Sequence, residues 1–140
     1  MPALPRYLAV DVGDRRIGLA IADELGMLAS PAGFVERRAG KRLPVAEVLR
    51  RATDLEARGF VVGLPLDENG HETPRCAEAR EMAAKLAERT GFDARLVDER
   101  YTTAIALRSI QAVGGSTHGR KGDVDALAAS VLLQHALDAR

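Results

Sequence analysis

YLAVDVGDRRIGLAIA, residues 7–22, is the stretch on which the reading of this chain turns. Tyr7–Val12 and Ile17–Ala22 are rich in β-formers, and Gly13-Asp14-Arg15-Arg16 lies between them as a turn in which Gly13 can take φ > 0 without steric cost. The reading is a tight hairpin. One residue breaks its apolar pattern: Asp11. A carboxylate on a central strand is expensive unless it is paired or binds a cation. Ala9, Gly13 and Gly18 surround it with small positions that leave room for a close approach to the backbone. Either Asp11 ends the strand in an Asx turn with Gly13, or it holds a metal ion or contacts a phosphate.

Downstream, Met27 to Val35 reads as a third strand, and Pro31 places it at an edge. Three strands joined by short turns make an antiparallel meander. A basic connector, 36–42, leads to a helix opened by Pro44, in which Val45, Val48, Leu49, Ala52 and Leu55 recur at helical spacing and Gly59 suits the C-terminal cap. FVVGL, 60–64, is a continuous apolar run, as expected of a strand covered on both faces. After a polar turn, Thr73-Pro74 opens a second helix with Thr73 as N-cap; Cys76, Ala79, Ala83 and Leu86 form its apolar stripe and Gly91 closes it. ARLVDE, 94–99, is a fifth strand. A third helix is expected over about 103–113, then a basic glycine-rich loop, 114–122. A last helix, about 123–139, should turn Val124, Leu127, Ala128, Val131 and Leu132 inward.

The order β-β-β-α-β-α-β-α-α predicts an α/β fold: a five-stranded mixed sheet of three antiparallel and two parallel strands, with helices on both faces. Right-handed crossovers add the two later strands beside the first. Asp11 then sits near the middle, by the carboxyl ends of the parallel strands, where open α/β sheets bind ligands.

With 140 residues the chain is long enough for one domain, expected over 1–140, and not for two. Charges interrupt every apolar run, so no membrane span is expected, and the N-terminus lacks the apolar segment of a signal peptide. The single Cys76 excludes an internal disulfide and points to a reducing, cytoplasmic setting. Formal net charge is zero, yet the bases cluster at Arg15 and Arg16, at Arg37, Arg38, Lys41 and Arg42, and at Arg120 and Lys121. A neutral total can thus hide a basic face for nucleic acid, although solvated loop charges would give the same pattern.

Acids that could join Asp11 are Asp98 or Glu99 at the end of the fifth strand, only one of which can share a given face, and Asp123 or Asp125 at the start of the last helix. Asp125 is the stronger, lying beside the buried face. Such a cluster repels itself unless cations neutralise it. Hard oxygen ligands without a Cys or His pair select Mg2+ or Mn2+ over zinc, and two such ions can drive phosphodiester cleavage. Cys76 has no nearby His, no GxxxxGK[ST] or GxGxxG motif is present, and His71, His118 and His135 show no ligand spacing.

AVDVGDRRIGLAIAD at 9–23, VVGLPL at 61–66, PR at 74–75, DERYTT at 98–103 and KGDVDALAAS at 121–130, in this order and at these intervals, resemble the YqgF (RuvX) family of ribonuclease H-like Holliday junction resolvases, also described as pre-16S rRNA processing nucleases. The resemblance runs from Leu8 to about Leu137. It implies a ribonuclease H-like fold and a divalent-metal-dependent nuclease acting on branched DNA, precursor rRNA or both. It also implies Asp11, Glu99 and Asp125 as the catalytic, metal-holding acids. FVVGL carries no acid, so the second carboxylate must come from DER, and the choice between Asp98 and Glu99 stays open. Arg15, Arg16, Arg37, Arg38, Arg100, Arg120 and Lys121 are the expected nucleic-acid contacts. A homodimer would suit a symmetric four-way junction, since matched cuts need paired sites. Two other readings compete. One is a non-catalytic nucleic-acid-binding module. The other is an ATP-binding or phosphate-transfer protein, because DVGDRRIG resembles the first phosphate motif of the actin and sugar-kinase superfold; the chain is too short for the paired domains that enclose a nucleotide there.

Overall fold

The computed structural model describes residues 6–38, 42–101 and 121–139. Its strands are β1 (Tyr7–Val12), β2 (Arg16–Ala22), β3 (Ala29–Glu36), β4 (Gly59–Leu64) and β5 (Ala94–Asp98). Its helices are α1 (Val45–Asp54), α2 (Pro74–Thr90) and α3 (Lys121–Asp138), with a single 3-10 turn at Glu99–Tyr101. The helix expected over 103–113, the loop up to residue 120, His118 and Arg120 lie outside the described residues.

The sheet order is β3-β2-β1-β4-β5. β1 pairs antiparallel with β2 and β2 with β3, while β1–β4 and β4–β5 are parallel. The meander and the two added strands therefore sit as expected, with β1 central and β3 at an edge. β1 is buried along its whole length, and strand alternation divides its residues between two layers. Leu8, Val10 and Val12 join Ile17, Leu19, Phe60 and Val62 against Val45 and Val48 of α1 and Ala79, Met82 and Leu86 of α2. Tyr7 and Ala9 join Ala20, Ala22 and Val61 against Ala129, Leu132 and Leu133 of α3. Asp11 has the parity of Tyr7 and Ala9, so it belongs to the α3 layer.

Local chemistry explains most boundaries. Thr73 is the N-cap of α2, with Pro74 behind it, and its hydroxyl donates to the Pro65 carbonyl at 2.9 Å. The buried Cys76 lies in the α2 core stripe, where its sulfur accepts from the Thr73 N–H at 3.3 Å. Gly91 closes α2 in the left-handed conformation, φ 76°.

Three expectations need correction. Gly59 does not cap α1. That helix ends at Leu55 with Glu56 left-handed at φ 58°; Glu56 N–H bonds Thr53 O and Ala57 N–H bonds Ala52 O, a Schellman pattern. Gly59 instead starts β4, where a Cβ would lie 2.6 Å from the Tyr7 ring. Gly13 is not among the residues with positive φ. It is small for space, since a Cβ would lie 2.7 Å from the Arg16 carbonyl that its own N–H bonds. Finally, α3 is rotated from the expected stripe. Leu127 is 44% exposed, Val124 and Val131 are half-buried, and the buried face carries Asp125, Ala126, Ala128, Ala129, Leu132 and Leu133.

Candidate active site

The sheet carries a row of positions on its α3 side with Asp11 at the centre. Asp11 pairs with Gly18 of β2. Continuing the β1–β4 register by one residue past Val10–Val62 puts Gly63 on its other side, and Gly63 pairs with Val97 of β5. Each neighbouring strand is about 4.8 Å away. Both glycines are occupied from above. A Cβ on Gly18 would lie 2.1 Å from the Asp125 carbonyl oxygen, so the first turns of α3 rest on the bare backbone of β2. A Cβ on Gly63 would lie 2.2 Å from Glu99 Oε1, so the Glu99 side chain lies over β4. The two missing side chains leave space that the Glu99 side chain fills on one side of Asp11 and the α3 backbone at Asp125 fills on the other. The three acids are buried, with relative exposures of 3% for Asp11, 1% for Glu99 and 7% for Asp125.

Asp98 takes a different course. Strand alternation turns it from the Gly63 face, and Arg100 grips it: Arg100 Nη2 donates to Asp98 Oδ2 at 2.8 Å, Nε to Oδ2 at 3.0 Å, and the Arg100 N–H to Oδ1 at 2.9 Å. The Arg100 hydrogen bonds hold the Asp98 carboxyl below its ordinary value against the opposing effect of desolvation. Arg100, expected to meet nucleic acid, thus spends its guanidinium on Asp98. Among the described residues, no three or more His, Cys, Asp or Glu side chains close into a compact ligand set. Asp125 is itself engaged, with Arg16 Nε donating to its Oδ2 at 2.6 Å. The donor type nonetheless suits a hard divalent ion: Asp11, Glu99 and Asp125 are buried carboxylates carried by three elements that meet at the Gly18–Asp11–Gly63 row.

A basic rim borders this row. The two arginine clusters of the sequence meet in space, because the Arg37 N–H bonds the Arg15 carbonyl at 2.8 Å. Arg15, Arg16, Glu36, Arg37 and Arg38 line a cavity of about 440 Å3. Arg15 and Arg38 are exposed. Arg37 needs correction: its side chain is only 2% exposed, with Nη2 donating to Glu78 Oε2 at 2.7 Å and Nη1 to the Gly13 carbonyl at 3.3 Å. It fastens β3 and α2 to the hairpin turn and is a strut, not a surface contact for phosphate. Arg75, not singled out from the sequence, forms an ion pair with Asp14 in the same turn. The PR pair at 74–75, where Pro74 starts the helix, was the available signal. Of the remaining sequence candidates, Lys121 begins α3, and Arg120 lies outside the described residues.

The RuvX model, described as a Holliday junction resolvase, matches residues 5–139. The chain belongs to the RuvX family. A protein of Clavibacter michiganensis subsp. michiganensis provisionally named a pre-16S rRNA nuclease is 40% identical over 131 residues, covering 94% of this chain and 81% of the relative. One of the same name from Anaeromyxobacter dehalogenans strain 2CP-C is 42% identical over 135 residues, covering 96% and 98%. Among solved structures, Thermus thermophilus RuvC superposes with a TM-score of 0.57 at 16% identity, covering 96% of this chain and 95% of that one. The same protein in complex with a Holliday junction substrate gives 0.54. The fold is therefore ribonuclease H-like, and this RuvX protein is a nuclease of a family that uses divalent metal ions and acts on nucleic acid. No helix among its described residues is long and apolar enough to cross a membrane.

Proposed function

We propose that Asp11, Glu99 and Asp125 hold the divalent ions, Mg2+ or Mn2+, of an endonuclease that hydrolyses phosphodiester bonds in structured nucleic acid, a precursor rRNA end or a four-way DNA junction. The observation that carries this reading is the Gly18–Asp11–Gly63 row, with the Glu99 carboxylate laid over Gly63 and the α3 backbone at Asp125 laid over Gly18. A non-catalytic binding module has no need of three buried carboxylates, because each costs desolvation energy that only a cation or a hydrogen-bond network offsets. The ions supply an activated water and a counter-charge for the leaving oxygen. The chain supplies the rest. Asp11, on the central strand, gives a rigid reference position. Glu99 and Asp125 bring carboxylates from the ends of two other elements, and exposed Arg15 and Arg38 hold flanking phosphates beside them. Matched cuts in a symmetric junction call for two such sites, so on that substrate the acting species is a homodimer. The lone, buried Cys76 suits a reducing cytoplasm.

The test is cleavage of a four-way junction and of a precursor rRNA end, side by side, with Mg2+ or Mn2+, by wild type and Asp11→Asn. The variant keeps the side-chain shape and loses its charge. Cleavage should fall by well over the roughly 10–100-fold typical of outer-shell changes. Affinity for nucleic acid should hold, and stability without divalent ions should hold or rise as repulsion among the acids is relieved. A folded Asp11→Asn protein cutting at the wild-type rate would overturn the site.

A further inference from the structure

Arg16 stands between the acid row and the basic cavity. It lies two residues before Gly18 on β2, so its side chain shares the face on which Asp11 and Asp125 lie. Its Nε donates to Asp125 Oδ2 at 2.6 Å, and the two side chains are only 24% and 11% exposed. The same residue lines the cavity with Arg15 and Arg38. A guanidinium at this distance already neutralises the carboxylate and occupies one of its oxygens. A divalent ion approaching Asp125 must therefore compete with a cation that belongs to the chain. A phosphate entering the cavity offers that cation an alternative partner of matching fork geometry.

We propose that Arg16 is an internal counter-ion for Asp125, exchanged between this carboxylate and a substrate phosphate, so that it weakens divalent-ion binding in the free protein and couples ion binding to nucleic-acid binding. It is a positioning residue: it acts on the ion through Asp125. The proposal rests on the metal site proposed above. Linkage makes the coupling reciprocal: whatever draws Arg16 from Asp125 strengthens ion binding, and ion binding frees Arg16 for phosphate.

The experiment measures Mn2+ binding to the full chain by electron paramagnetic resonance, without nucleic acid, for wild type, Arg16→Gln, Arg16→Lys, Arg15→Gln and Asp11→Asn, with a melting curve on each. Arg16→Gln should bind Mn2+ roughly tenfold more tightly, about 1.4 kcal/mol, while its KM for a four-way junction at saturating Mn2+ rises. Opposite movements of ion affinity and KM are not what a merely structural residue produces. Arg16→Lys keeps the charge and should stay near wild type in Mn2+ affinity, so it reports on the contact even if Arg16→Gln fails to fold. Arg15→Gln controls for the loss of a nearby exposed charge and should change Mn2+ affinity much less. Unchanged or weaker Mn2+ binding by Arg16→Gln would overturn the exchange and leave Arg16 as a support that orients Asp125. An equal gain in Arg15→Gln would reduce it to a general field effect and overturn it too. If wild type takes up no Mn2+, or Asp11→Asn binds it as well as wild type, the metal site itself fails. If Asp11→Asn loses Mn2+ while Arg16→Gln binds it no more tightly than wild type, the site stands and only the role of Arg16 is refuted.

Discussion

Replacing Gly63 with alanine should separate the position of Glu99 from the integrity of the fold. The new Cβ would lie 2.2 Å from Glu99 Oε1, 2.9 Å from its Cδ and 3.0 Å from its Cγ. An ordinary contact begins near 3.4 Å, so the oxygen must retreat by 1.2 Å. Every atom in the way belongs to one side chain, which can rotate, so the stability cost should stay within the roughly 1–3 kcal/mol of an overpacked core. Chemistry is less forgiving. A displacement of about 1 Å in a reacting constellation costs on the order of 100-fold. Gly18→Ala is the counterpart. Its Cβ would meet the Asp125 carbonyl oxygen at 2.1 Å, its carbon at 2.5 Å and the Ala126 nitrogen at 3.2 Å. Those are backbone atoms of α3, which cannot rotate aside, so here the whole helix must shift and stability should fall further than in Gly63→Ala. Urea unfolding and single-turnover cleavage on the same samples read both effects. A folded Gly63→Ala protein that cleaves at the wild-type rate would refute the idea that the glycine row positions the acids.

Arg37→Ala should cost about 1–3 kcal/mol in urea unfolding, because it strips hydrogen-bond partners from Glu78 and the Gly13 carbonyl; a loss under about 0.5 kcal/mol, typical of surface positions, would show that it is no strut. Removing Arg15 and Arg38 together should lower the slope of log K against log salt by roughly 2 units, and an unchanged slope would remove both from the phosphate interface. Asp98 predicts an acid-range effect. Its folded-state carboxyl is held low by Arg100, so the stability it contributes is present above the unfolded carboxylate value of about 3.9 and is lost as pH falls through the lower, folded value. The stability gap between wild type and Arg100→Gln should accordingly narrow on acidification, and a gap constant from neutral pH to pH of about 2 would refute the pairing.

Much of this was legible in the chain, and what was not shares a physical cause. β1, β2, β4 and α2 could be read because local chemistry fixes them: short runs rich in apolar β-formers, Thr73-Pro74 at a helix start, Gly91 at its end. Asp11 stood out by breaking a local rule, a buried acid in an otherwise apolar strand. What could not be read mostly concerns which partner a residue meets. Arg37 and Arg38 are adjacent and chemically alike, but Glu78, far away in sequence, captures only the first. Asp98 and Glu99 are also adjacent; Arg100 takes one and the bare backbone of Gly63 admits the other. The rotation of α3 is the clearest case. Hydrophobicity favoured Leu127 and Val131 for the inward face, yet the sheet beneath offers Ala9, Ala20 and Gly18, small residues that let a helix approach closely only on a face of comparable size. Ala126 and Ala129 provide that face, and the larger Leu127 is left outside. Close packing against Gly18 is also what brings the Asp125 backbone down onto β2. The sheet selects the inward face of the helix by size, and Asp125 is buried because it lies on that small-residue face.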